Sequence, residues 1–253
     1  MPVLQDLIFL FIFGFAAGFV DAVVGGGGLI QIPALMMLLP GVPIATLFGT
    51  NKFAGFSGTL MASYRYFKTT TLDFKLLMPA IWAALVFSFV GAWLVAYFDK
   101  AFLEPIVLIL LVLVLLYTLF KPYLQRYHKV VLPNRRIIAS ASVGMALGLY
   151  DGFFGPGTGS FLIMAFVALF GMDFLAASAH AKIINLVTNI AALIFFIAAG
   201  HINFYWTIPL AAANMAGAFV GAKTAVKRGE PFIRPFYIIV VTALLLKLSY
   251  QIF

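Results

Sequence analysis

The chain contains no cysteine, which excludes disulfides and thiolate metal sites. Charge is scarce as well. Only 9% of the 253 residues are Asp, Glu, Lys or Arg, while 64% are hydrophobic. Soluble domains carry about 25% charged residues. So few polar groups cannot cover a water-exposed surface, whereas a lipid-facing surface needs almost none. Runs at 76–98, 102–120 and 236–253 approach or reach the roughly 20 residues of a bilayer-spanning helix. The composition predicts an all-α, polytopic membrane protein with a lipid bilayer as its solvent. The opening "MPVLQDLIFLFIFGF" lacks the basic n-region of a secretory leader and is read as structure.

Acidic residues number 8 against 16 basic ones, a net charge of +8. In a soluble chain that excess would suggest nucleic acid. In a membrane protein Lys and Arg mark cytoplasmic loops, and no nucleic-acid partner is predicted.

The chain repeats itself at an offset of 130 positions. Gly14 falls on Gly144, Gly18 on Gly148, Asp21 on Asp151, Lys52 on Lys182 and Pro79 on Pro209. "FVGA" at 89–92 recurs at 219–222. Each half has an apolar segment ended by glycines (7–24, 137–154) and a short apolar piece (29–39, 159–170). Three long segments follow (45–66, 76–98, 102–120; 176–199, 204–226, 235–253). The predicted organisation is a first transmembrane repeat over 1–120, a basic linker over 121–136 and a second repeat over 137–253.

Basic residues set the expected orientation. Arg65, Lys68 and Lys75 mark one loop, Lys121, Arg126, Lys129, Arg135 and Arg136 the linker, and Lys223, Lys227, Arg228 and Arg234 a third loop. The loops at matching positions in the opposite half are neutral or nearly balanced. Such alternation predicts two inverted-topology repeats, each a glycine-broken helix or hairpin plus three long helices. The linker would be cytoplasmic and both termini periplasmic. Whether 7–39 and 137–170 span the membrane or turn back is left open by sequence. Inverted repeats with broken segments at matching positions are the mark of secondary transporters.

Irregular backbone at membrane depth must be buried in protein or face a cavity. "GGGG" at 25–28 and "GPGTG" at 155–159 each lead into a short apolar piece. A glycine turn before a helix start directs N–H groups and the positive helix end at an anion. Gly25, Gly26, Gly27, Gly28, Gly155, Gly157 and Gly159 are therefore candidate backbone donors, with close helix packing as the plain alternative. Lys52 and Lys182 are expected to face inward and compensate substrate charge. A lysine within a membrane helix costs on the order of 3 kcal/mol, so its repetition at one repeat position needs a reason; snorkelling to an interface is the alternative. Asn185 and Asn189 share a helical face with Lys182. Asn51, His180 and Gln31 extend the polar set. Asp21 and Asp151 have two readings: carriers of a coupling ion, or structural partners of the lysines or of glycine N–H groups. No nucleophile–base or metal set is present, so neither an enzyme nor a cofactor is predicted.

"GFVDAVVGGGGLIQIPAL" followed by "GTNK", then "GLYDGFFGPGTGSF" followed by "AHAK", resembles the TauE/SafE sulfite exporter family of bacterial membrane proteins. The resemblance covers nearly the whole chain. It implies transport of sulfite, sulfoacetate or a related small oxyanion across the inner membrane. The expected protein is thus a secondary anion transporter, with a passive anion channel or uniporter as the alternative. The sequence leaves room for a coupling proton or sodium ion and for a homodimer.

Overall fold

The computed structural model describes residues 4–124 and 131–228, with Thr242, Leu246 and Tyr250 beyond them. Linker positions 125–130, including Arg126, His128 and Lys129, lie outside the described residues, as does nearly all of the expected segment 235–253. Apart from one short 3-10 turn, Pro133–Arg135, the regular structure is α-helical, and no strand occurs among the described residues. The helices are α1 (Leu4–Val24), α2 (Gly28–Leu38), α3 (Ile44–Phe67), α4 (Phe74–Val95), α5 (Lys100–Leu124), α6 (Arg136–Phe153), α7 (Thr158–Phe170), α8 (Phe174–Ala198) and α9 (Phe204–Arg228).

The glycine clusters end helices where expected. Gly25 takes a φ of +76°, which a side chain would resist, and its N–H closes the last turn of α1 onto the Asp21 carbonyl. Gly155, at φ +95°, does the same after α6. The two arms of each broken segment are unequal. α1 has 21 residues, about 31 Å, enough for the roughly 30 Å hydrocarbon core. α2 has 11 residues and α7 has 13, about 16–20 Å, and both fall short. α1, α4 and α8 are long and apolar enough to cross a membrane. Ile8, Phe11, Trp82, Val86, Ile109 and Leu113 are exposed. Such a surface would drive association in water, and lipid covers it instead.

Lipid is as apolar as leucine, so helices in a membrane associate through close packing and hydrogen bonds. Gly144, Gly148 and Gly152 stand every fourth residue along one face of α6 and meet Ala80, Ala84 and Ser88 of α4 in the same order. α4 and α6 are therefore parallel. α1 and α9 repeat the arrangement, with Gly14 beside Leu210 and Gly18 on the Asn214 backbone. α3 and α8 run the other way: Gly49, Thr59 and Ser63 meet Phe196, Asn189 and Lys182. A Cβ at Gly152 would lie 1.9 Å from the Ser88 carbonyl oxygen. Gly152→Leu is expected to separate α4 from α6 and remove several kcal/mol of stability, at the extreme of single-residue effects. A variant that stays monodisperse in detergent with an unchanged thermal midpoint would refute this packing.

Candidate functional site

The two broken turns meet near the centre of the molecule. A Cβ on Gly25 would lie 2.4 Å from the Gly159 backbone, and Ser160 N–H donates to the Gly25 carbonyl at 3.1 Å. Ser160 Oγ donates to the Val24 carbonyl, and the Tyr66 hydroxyl donates to the Ala22 carbonyl at 2.9 Å. The end of α1 is thus tied both to α7 and to the end of α3.

The charges pair crosswise between the halves. Lys52 Nζ lies 2.8 Å from Asp151 Oδ2, and Lys182 Nζ lies 2.7 Å from Asp21 Oδ2. Each lysine reaches the aspartate of the other repeat. Lys182 also donates to the Asp21 carbonyl, and Asp21 Oδ1 accepts from Gly27 N–H at 3.3 Å. The Lys52–Asp151 contact is a close ion pair, and no other group among the described residues holds Asp151 Oδ2. Gly155 leaves room for the Lys52 ammonium, because a Cβ there would lie 3.1 Å from Nζ.

Between these groups lies a polar cavity of about 40 Å³. At roughly 10–15 Å³ per water, it holds a few waters or one small oxyanion. Asp21 and Asp151 line it from the ends of α1 and α6, and Gly27, Gly28 and Gln31 from the start of α2. Asn51, Lys52, Gly55 and Thr59 come from α3, and Asn185 and Asn189 from α8. Gly155 and Asn214 complete the wall. Asn214 Nδ2 donates to Gln31 Oε1 at 2.8 Å, and Gln31 Nε2 is buried without an acceptor among the described residues. Asn189 Nδ2 donates to Thr59 Oγ1, its own repeat mate, at 3.4 Å.

Several expected site residues fall elsewhere. Lys182 is 1% exposed, stands behind Asp21 and does not line the cavity. His180 is likewise not in the wall. Its Nε2 accepts the Asp73 N–H at 3.0 Å, and its Nδ1 lies 2.8 Å from the Ala176 carbonyl. Both ring nitrogens are thus engaged within the protein. His180 braces the start of α4, as its mate Thr50 braces the start of α9 through Thr207. The expected ring of glycine donors is corrected too. The N–H groups of Gly25, Gly27 and Gly155 donate to Asp21 O, Asp21 Oδ1 and Tyr150 O. Gly25 and Gly159 serve close backbone contact. Gly157 makes room for Val114 of α5. Gly26 stands outside the wall, its carbonyl accepting from Leu29 N–H. Gly27 and Gly28 do line the cavity, and Gly28 N–H has no acceptor among the described residues.

Asn214 was missed by sequence reasoning. A buried amide in the apolar stretch "AAANMAGAFVG" is a signal in itself, because an unpaired amide is costly away from water. Its repeat mate is Ala84, so a comparison of the halves hides it.

A paired, polar centre wrapped by lipid-facing helices is the build of a membrane transporter. The family described as Sulfite exporter TauE/SafE matches residues 10–248. A "Probable membrane transporter protein" of Haemophilus influenzae is 36% identical, with 97% of this chain and 95% of that protein covered. The "Probable membrane transporter protein ORF9" of Sinorhizobium sp is 34% identical, covering 96% and 92%. The "Probable membrane transporter protein YfcA" of Escherichia coli K12 is 34% identical, covering 96% and 89%. No solved structure matches the chain. The chain belongs to the TauE/SafE family of membrane transporters, and is a transporter rather than an enzyme.

Proposed function

We propose that the protein is a secondary transporter for a small sulfur-containing or organic anion, such as sulfite, sulfoacetate or a related oxyanion. It works in the bacterial inner membrane as two inverted repeats, 1–120 and 137–253, joined by a cytoplasmic linker over 121–136, with periplasmic termini. The antiparallel contact of the repeat mates α3 and α8 supports the inversion. Alternating access is the movement of one repeat or bundle against the other about the central site.

The observation that carries the anion reading is the unsatisfied donor of Gln31. Gln31 is 2% exposed, Asn214 holds its Oε1, its NH₂ group has no partner among the described residues, and Gln31 and Lys52 line the same cavity. Donors without acceptors, buried in a cavity of oxyanion size, fit an acceptor-rich ligand. The test is flux of radiolabelled sulfite and sulfoacetate in proteoliposomes. Gln31→Leu is expected to raise the KM for flux roughly 10- to 150-fold, the equivalent of a hydrogen bond to a charged group at about 1.5–3 kcal/mol. Asn214→Ala should act in the same direction by releasing Gln31. Wild-type KM in Gln31→Leu would remove Gln31 from the site.

A further inference from the structure

We propose that Asp151 carries the coupling proton: an entering anion displaces Asp151 from Lys52, and Asp151 takes up one proton as it is released. This rests on the anion reading above and adds the coupling ion to it.

The two ion pairs occupy equivalent repeat positions but are not equivalent. Lys182 is held by two oxygens of Asp21, and the remaining Asp21 oxygen is held by Gly27 N–H. Asp21 lines the cavity with its side chain 22% exposed, but Lys182 does not, so an anion there meets the carboxylate of this pair and not its ammonium. Lys52 and Asp151 both line the cavity, with side chains only 3% and 2% exposed. Lys52 Nζ lies 2.8 Å from Asp151 Oδ2, and an ammonium group has three donors. An oxyanion in the cavity competes with Asp151 for that ammonium.

Charge balance then requires a cation. The four groups Lys52, Lys182, Asp21 and Asp151 sum to zero when the site is empty. A singly charged anion leaves −1 in an enclosed cavity of low dielectric, with Asp151 buried and unpaired, and such a charge is neutralised in preference to being left alone. One proton on Asp151 restores zero: Lys52 pairs with the anion, and Asp151 becomes a neutral carboxylic acid. The proton comes from a hydronium ion of the phase the anion enters from, whose O–H breaks as the Asp151 O–H forms; no other covalent bond changes.

The groups facing Asp151 support a proton over a metal cation. Lys52 faces it from α3, Asp21 lies across the cavity on α1, and Lys182 stands behind Asp21 on α8. From α2 and α9 come only the amides of Gln31 and Asn214. The Tyr66 hydroxyl is turned to Ala22, and His180 to Asp73. Both carboxylates already hold an ammonium group at 2.7–2.8 Å. A sodium ion would have to sit against a lysine and gather a shell of oxygens, whereas a proton needs one carboxylate oxygen.

The experiment is radiolabelled sulfite uptake by the full chain in proteoliposomes at pH 6 outside, with and without a proton gradient. In wild type, one inward pH unit should raise accumulation about tenfold. In Asp151→Asn, whatever its absolute rate, the ratio with and without the gradient should fall to about one. A tenfold ratio preserved in Asp151→Asn means that the proton travels on sulfite, and it overturns the proposal. So does a wild-type flux that follows a sodium gradient instead. Should Asp151→Asn not fold, proton uptake by unbuffered, purified wild type on binding sulfite at pH 6 decides. One proton per anion supports the proposal, and none overturns it. Absence of any sulfite or sulfoacetate exchange by wild type would instead fail the anion reading itself.

Discussion

Replacing Lys52 with methionine is expected to lower sulfite flux by at least about 100-fold. Lys52 supplies the ammonium group in the cavity wall, since Lys182 is screened by Asp21. Its removal acts twice. The anion loses its counter-charge, and Asp151 is left buried without its ammonium partner. Breaking a buried pair by removing one partner typically costs about 3–5 kcal/mol, equivalent to a factor of roughly 10² to 10³ or more. The double variant Lys52→Met with Asp151→Asn separates the two effects. It removes the orphaned carboxylate and should recover thermal stability, but not flux. Sulfite flux at the wild-type rate in Lys52→Met would exclude Lys52 from the permeation site and with it the anion site described here.

Asp21→Ala should be the largest stability defect at the centre. Lys182 would be left 1% exposed with only a backbone carbonyl as acceptor, and Gly27 N–H would lose its partner. The expected loss is about 3–5 kcal/mol, a fall on the order of 10 °C in thermal midpoint for a chain of this size. The second substitution Lys182→Met should return much of it, because two neutral groups of similar volume are better tolerated than one unpaired charge. Asp21→Ala melting with wild type would show that Lys182 has no need of Asp21. Set beside Lys52→Met, this variant divides the two lysines by role. One lysine should govern transport and its repeat mate should govern stability.

Much of the fold was legible because membrane helices have a simple code. Apolar length, glycine breaks and the offset of 130 placed α1 to α4 and α6 to α9 within a few residues of their observed bounds. The broken segments were legible for the same reason: consecutive glycines weaken a helix at every position they occupy, so an apolar stretch that contains them breaks there. The unequal arms of each broken segment were legible too, as a longer apolar run before the glycines and a short one after them. His180 shows a limit. An imidazole near "AHAK" looks like a site residue by type and neighbourhood, yet its direction around the helix turns both nitrogens to Asp73 and Ala176. The glycine N–H groups show a second. They were correctly placed at helix ends, but the turns themselves consume three of the seven, through Asp21 and Tyr150.

By itself, the sequence determined an all-helical membrane protein, its duplication, its two glycine breaks and the lysines and aspartates at matching repeat positions, because these follow from composition, period and repetition along one chain. Only the tertiary structure decided which aspartate meets which lysine, that Lys52 lines the cavity while Lys182 stands behind Asp21, and that Asn214 orients Gln31. Those relations join residues far apart along the chain. They depend on how α3, α8 and α9 cross, and a linear pattern that treats the two halves as equal cannot distinguish the lysine in the cavity wall from its mate behind an aspartate.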